Sequence, residues 1–215
     1  MHHLEPFYAW SHLYNAARDP RSPFFGRHYH ETLCTNTIYN YYIHPQWDEF
    51  GSPTLYLKIL YTDYEIGFTI IELLGEWNDC INNDIMFLKR NVVDVLIQNG
   101  IRVFILIGEN VLNFHRDTDD YYQEWFEDVE DGFIIGLNFR EHVIQEFTQG
   151  RLDNYMIFGG RFNEIGWRRY NPLQLYSYVN QIVMRGGAWY LSSNIVEIVG
   201  LVYCSTGRLP SHGSH

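Results

Sequence analysis

The residues best placed for chemistry are two glutamates, each following a glycine at the end of an apolar run. Glu76 stands in Gly75-Glu76-Trp77-Asn78-Asp79 and Glu109 in Gly108-Glu109-Asn110. In open α/β sheets ligands bind beyond the carboxyl ends of the strands, where both fall. On neighbouring strands the two carboxylates would converge, with Arg140 and Arg161, each following a further apolar run, as counter-charges. Glu76, Glu109 and Arg140 could then do acid–base work, and Glu76, Asp79 and Glu109, helped by Asn110, could hold Mg²⁺ or Ca²⁺. The same residues equally suit a structural role, capping the following helices or forming ion pairs at the sheet edge.

Other candidates are weaker. His28-Tyr29-His30-Glu31 would place two imidazoles on one side of a strand, a geometry open to Zn²⁺, but no second ligand pair follows at a usual spacing. His115 near Asp117 has the makings of a general base, and Cys80 near a helix start those of an activated thiol; a surface histidine and a small buried hydrophobe are the commoner readings. Neither GxGxxG nor GxxxxGK[ST] follows any apolar run, and GxSxG is missing, so nucleotide cofactors and serine-hydrolase chemistry are unsupported. No cofactor is expected.

The whole chain sets bounds on the partner. At 215 residues, with 46% hydrophobic and 17% aromatic content, it can bury a full core. Its net charge of −11 repels phosphate backbones and anionic headgroups, which argues against nucleic acid and membrane surfaces. The most apolar stretch, Ile195 to Cys204, has about ten residues and contains Glu197, too short for a span of roughly 20. Cys34, Cys80 and Cys204 form no CxxC pair and read as reduced thiols; with no secretory signal pattern in Met1–Pro6, a cytoplasmic location is expected.

The elements that would position these residues begin at Pro53. Residues 1–52 are rich in aromatic residues, histidine and turn formers without clear periodicity, and read as an extension lying on the main domain or on a partner. Leu55–Tyr61 and Phe68–Leu74 suggest a hairpin ended by Gly75. A helix capped at Asn82 or Asn83 carries Ile85, Leu88, Val92 and Val95 or Leu96 to a stop at Gly100. The run Val103–Ile107 reads as a strand covered on both faces. There follow a helix over Asp119–Val129, a strand Phe133–Leu137, a helix Glu141–Phe147, a strand Tyr155–Phe158, and a last helix opened by Pro172 and reaching Met184. The domain is therefore bounded at 53–184, with a C-terminal extension over 185–215 whose end, from Ser205, is expected to fray.

The fold class is α/β, a β-β-α-β-α-β-α-β-α order over a mostly parallel sheet. This order, with Ile70-Ile71-Glu72-Leu73-Leu74-Gly75-Glu76-Trp77-Asn78-Asp79 and Glu141-His142-Val143-Ile144-Gln145-Glu146-Phe147 through Gly150-Arg151-Leu152-Asp153-Asn154-Tyr155, resembles the STAS domain of anti-sigma-factor antagonists. The resemblance covers about 130 residues of the 215 and implies a STAS-like sandwich acting as a non-enzymatic regulatory module. The family's Asp-Ser-Ser/Thr-Gly phosphorylation motif is replaced by Asn113-Phe114-His115-Arg116-Asp117-Thr118-Asp119-Asp120-Tyr121. A phosphate on Thr118 would sit among carboxylates, so the phospho-switch is expected to be absent.

The leading expectation is a regulatory or scaffolding module working through protein–protein contacts. Its surface would be the acidic run Asp117 to Asp131, with Asp117, Asp119 and Asp120 beside exposed Tyr121, Tyr122 and Trp125, favouring a basic protein partner. Self-association is left open. The alternatives are a small metal-dependent or acid–base enzyme using the strand-end carboxylates, and a structural subunit docked through its aromatic N-terminal segment.

Overall fold

Two long strands, buried along most of their length, decide the architecture. A computed structural model describes residues 3–30, 36–38 and 41–190, and for residues 3 and 186–190 the backbone alone. Two compact units divide the chain, Met1–Tyr176 and Ser177–His215. The second is described over 177–190, as helix. Cys34, Cys204, Glu31 and the stretch from Ile195 onward lie outside the described residues.

In the N-terminal segment, β1 (His3–Leu4), β2 (Thr37–Ile38) and β3 (Tyr41–Ile43) form a small sheet in the order β1-β3-β2. The central sheet follows: β4 (Leu55–Asp63) pairs antiparallel with β5 (Phe68–Asn78), as the expected hairpin. Next come three short helical pieces, α1 (Asp79–Asn82), α2 (Asp84–Leu88) and α3 (Asp94–Gln98), the last two joined by a π-helical turn over Lys89–Val93. β6 (Val103–His115) runs parallel to β5, α4 (Asp120–Asp128) crosses back, and β7 (Phe133–Leu137) adds parallel to β6. The sheet order is β4-β5-β6-β7, with α5 (Glu141–Gln149) after it and α6 (Pro172–Tyr190) last. The fold is thus mixed α/β with a mostly parallel sheet, as the element order implies.

On one face of the sheet, Leu55, Leu57, Ile59, Ile71, Leu73, Phe104 and Leu106 meet the helices through Ile85, Leu88, Val92, Leu96, Trp125, Val143 and Phe147 in one buried cluster. The other face takes the N-terminal segment. Tyr56 and Leu74 pack with Ile38, Ile43 and Trp47, and Phe7 reaches Glu72 with its backbone N–H at 2.8 Å. Phe7, Trp10 and Trp167 stack edge-on with centroids 4.8–5.7 Å apart, an arrangement that favours ring pairs. Phe7, Trp10 and Trp47 of the N-terminal segment therefore pack against the α/β domain.

Three boundaries differ from the pattern in the sequence. Gly75 does not end β5: it sits at φ 122° with a register shift beside it, and a Cβ there would lie 2.1 Å from the Thr54 carbonyl oxygen. Only glycine lets the strand pass that point and continue to Asn78. β6 also runs eight residues past Ile107, because register shifts keep it paired with the tail of β5. The segment Tyr155–Phe158 makes a single parallel bridge, Ile135 to Ile157, instead of a strand. A 3₁₀ turn at Leu152–Asn154 and another starting at Gly160 leave it no length to pair.

Candidate interaction surface and carboxylate clusters

The acidic helix α4 is built on a narrow apolar stripe. Tyr122, Trp125 and Val129, spaced i, i+3 and i+7, are all fully buried. Trp125 meets Phe104 edge-on at 5.1 Å, and the Tyr122 hydroxyl donates to Asp79 Oδ2 at 2.6 Å. Tyr122 and Trp125 therefore do not belong to an exposed surface. Their large apolar areas outweigh the surrounding charge and turn this side of α4 into the core. Tyr121 is half-buried, and Asp117, Thr118, Asp119 and Asp120 are exposed.

The outer side of the helix carries the charge. Asp117, Asp119, Asp120, Glu127, Asp128, Glu130 and Asp131 are exposed, and Glu124 is half-buried. Part of this charge is neutralised at one point. The Lys89 ammonium, fully buried by the π-helical turn, bonds Asp94, lies 2.7 Å from Asp128 Oδ2 and 3.4 Å from Glu124 Oε1. Burial opposes the charged ammonium, but the hydrogen bonds it donates to Asp128 and Asp94 outweigh burial and hold its pKa above the ordinary value. Arg90 adds a fork to Glu124, with Nη1 at 2.5 Å and Nη2 at 2.7 Å. Asp94, Glu124 and Asp128 thus converge like metal ligands, with an ammonium at the place a cation would take. The Asp119 carboxylate accepts the Tyr155 hydroxyl at 3.0 Å. Among the described residues no cation pairs with Asp117, Asp120, Glu127, Glu130 or Asp131.

The strand-end glutamates do not meet. Glu76 Oε1 accepts from Asn113 Nδ2 at 3.1 Å, and Glu76 is the register partner of Asn113. Glu109 lies four residues earlier on β6, about 13 Å away along the strand at roughly 3.3 Å per residue. The extra length of β6 is what separates them. Glu109 instead accepts Trp167 Nε1 at 2.7 Å, Arg168 Nη1 at 2.9 Å and Asn138 Nδ2 at 3.2 Å. Burial alone would raise its pKa; these donors outweigh burial and hold it below the ordinary value. Arg140 is exposed and touches only the Glu109 backbone oxygen, at 3.4 Å, and Arg161 is exposed.

Asp79 points away from both glutamates into the helix-side core. Its carboxylate takes Trp77 Nε1 at 3.0 Å, the Ile85 N–H at 2.8 Å and the Tyr122 hydroxyl. Burial pushes its pKa up to about 6 in spite of those bonds. Neither the catalytic set Glu76, Glu109 and Arg140 nor the metal set Glu76, Asp79 and Glu109 is therefore assembled, because Asp79 faces the helices and Glu76 is spaced away along the strand.

The carboxyl that does approach Glu109 is Glu72. It is almost fully buried on β5, accepts the Phe7 N–H and lies 3.9 Å from Arg168 Nη2. Burial pushes its pKa up to about 7, with the Glu109 charge adding and Phe7 and Arg168 opposing. A lone acid inside the apolar run Phe68–Leu74 is the sequence signal for it. Lys58 on β4 and Lys89 in the helical run carry the same signal, a single charge where the apolar period demands none. Of the remaining candidates, His28 and His30 are exposed outside any strand, and no described group of metal ligands includes them. Cys80 is exposed, its thiol directed to the Arg116 carbonyl, and His115 and Asp117 are exposed without an ion pair between them.

Comparison with known proteins bears on the fold alone. No protein-family model matches the chain, and no curated protein matches it. Two solved structures are similar to it. The anti-sigma factor antagonist SpoIIAA in its unphosphorylated form has a TM-score of 0.37 and 13% identity over 53% of this chain and 96% of that one. The Bacillus cell fate determinant SpoIIAA in the phosphorylated form has a TM-score of 0.34 and 12% identity over 48% of this chain and 91% of that one. They are anti-sigma-factor antagonist structures, the kind of protein that the order of elements resembles. Among the described residues no helix is long and apolar enough to cross a membrane.

Proposed function

We propose that this chain is a non-enzymatic regulatory or scaffolding module of the cytoplasm that acts through protein–protein contact, with the outer face of α4 receiving a basic segment of the partner. One observation carries the reading. Glu127 lies in the last turn of α4, Glu130 and Asp131 follow after Val129, no basic residue lies in that turn, and among the described residues none of the three pairs with a cation. The C-terminal end of a helix carries partial negative charge, so each carboxylate there costs roughly 0.3–1 kcal/mol in place of a gain. Where local stability and sequence disagree on an exposed surface, the charge serves something other than the fold.

The shape of the patch fits that use. Tyr121 lies within cation–π range of Arg90, 5.4 Å from its ring centroid, and gives the acidic face a half-buried aromatic border. A basic partner would gain chiefly in association rate and register from such a face, and its binding would weaken with salt. Capture of partners with the wild type and with a variant carrying D117N, D120N, E127Q, E130Q and D131N tests this. These five side chains pair with no cation, so the variant keeps its fold. Loss of the captured partner from the variant is the expected result; identical partner lists would end the proposal.

A further inference from the structure

A cavity of about 310 Å³ separates the N-terminal segment from β4, and its walls are mostly apolar. Pro6, Phe7, Tyr14 and Tyr29 from the N-terminal segment and Lys58 and Leu60 from β4 are among the residues that line it. Leu60 is the extra residue of a β-bulge, set between the register pairs Ile59–Ile71 and Tyr61–Ile70. Such bulges re-aim side chains and are common beside binding sites. The volume is at the small end of the range of roughly 300–1,000 Å³ for ligand pockets, a fit for a single-ring compound.

The polar groups of the cavity are held and not free to collapse. Asp48, fully buried, receives the Tyr29 hydroxyl at 2.6 Å and Lys58 Nζ at 3.1 Å, and Arg27 Nη1 lies 3.4 Å from it. Two cations thus share the Asp48 carboxylate, and of these three groups Lys58 is the one that lines the cavity. The Lys58 ammonium also lies 3.8 Å from the Tyr29 ring centroid. With one N–H on Asp48 and another side against that ring, its third N–H has no protein acceptor among the described residues, and Lys58 lines the cavity. Burial lowers the Lys58 pKa while Asp48 opposes the fall. Glu5, the acid of the lining, is exposed, so solvent screens its charge, and its Oε1 lies 3.9 Å from His44 Nε2.

We infer that this cavity binds a small monocarboxylate carrying one planar ring, its carboxylate on Lys58 and its ring between Phe7, Tyr14 and Leu60. The carboxylate accepts the third N–H of Lys58, and a charge-assisted bond in a desolvated place is stronger than one in water. The ring meets tyrosine and phenylalanine walls edge-on or offset.

Calorimetric titration of the full chain tests it with three probes. Benzoate has ring and charge, benzyl alcohol the ring without the charge, and acetate the charge without the ring. Benzoate is expected to bind in the millimolar range or tighter, with benzyl alcohol and acetate each at least tenfold weaker. Leu60→Trp, which fills the cavity without touching a charge, should abolish benzoate binding; Lys58→Gln should weaken it at least tenfold. No heat from benzoate at 10 mM, equal binding of benzyl alcohol, or benzoate binding that survives Leu60→Trp would overturn the inference.

Discussion

Replacing Glu72 by glutamine should stabilise the protein in alkaline solution and leave it unchanged in mild acid. The glutamate carboxyl is almost fully buried between Phe7 and Arg168, and burial pushes its pKa up from 4.5 to about 7. A folded-state pKa above the unfolded one means that the folded protein binds the extra proton, so stability falls as pH rises from about 4.5 and the loss is complete just above 7. At 1.36 kcal/mol per unit, the ionised carboxyl costs about 3 kcal/mol at pH 8. Glutamine keeps an oxygen for the Phe7 N–H and never ionises. Thermal melts of both proteins at pH 5 and pH 8 supply the assay. The variant should melt within a degree or two of the wild type at pH 5 and roughly 6–12 °C above it at pH 8, taking about 2–4 °C per kcal/mol for a chain of this size. A difference in melting temperature that is the same at both pH values would show that Glu72 is not buried in need of its proton.

Two other perturbations probe the helix layer. Trp125→Ala should cost about 3–5 kcal/mol and lower the melting temperature by at least 6 °C, because Trp125 is fully buried against Phe104; a loss below 1 kcal/mol in a denaturant titration would put the ring outside the core. Lys89→Met leaves Asp94, Glu124 and Asp128 converging without their cation. We expect a loss of about 2 kcal/mol, below the 3–5 of fully buried pairs since these acids are partly exposed, and a partial recovery on adding Ca²⁺. The wild type should show no thermal shift with Ca²⁺, Mg²⁺, Mn²⁺ or Zn²⁺, because Lys89 already sits among the carboxylates; a clear shift would restore the metal reading.

What the sequence shows plainly is whatever rests on an unbroken period. The hairpin and β7 are unbroken apolar runs, α4, α5 and the start of α6 at Pro172 carry helical spacing, and the structure has them at those places. β6 beyond Ile107 is obscured because register shifts give its inward residues, Val111 and Phe114, a spacing of three in place of two. The apparent stop at Gly75 has the same origin, a bulge that only glycine can make. On α4 the density of carboxylates draws the eye from Tyr122, Trp125 and Val129, whose spacing already marks the buried stripe. The carboxyl cluster is the least legible part. Glu72 meets Phe7 and Arg168, which are 65 and 96 residues away in the chain, and no local pattern brings three such segments together.

The central claim concerns the outer face of α4. Its most direct test is the dissociation constant of the captured partner for the wild type and for the variant with D117N, D120N, E127Q, E130Q and D131N, each measured at two salt concentrations. The account predicts at least a tenfold weaker affinity for the variant and a smaller dependence on salt. Equal affinities with equal salt dependence would contradict it.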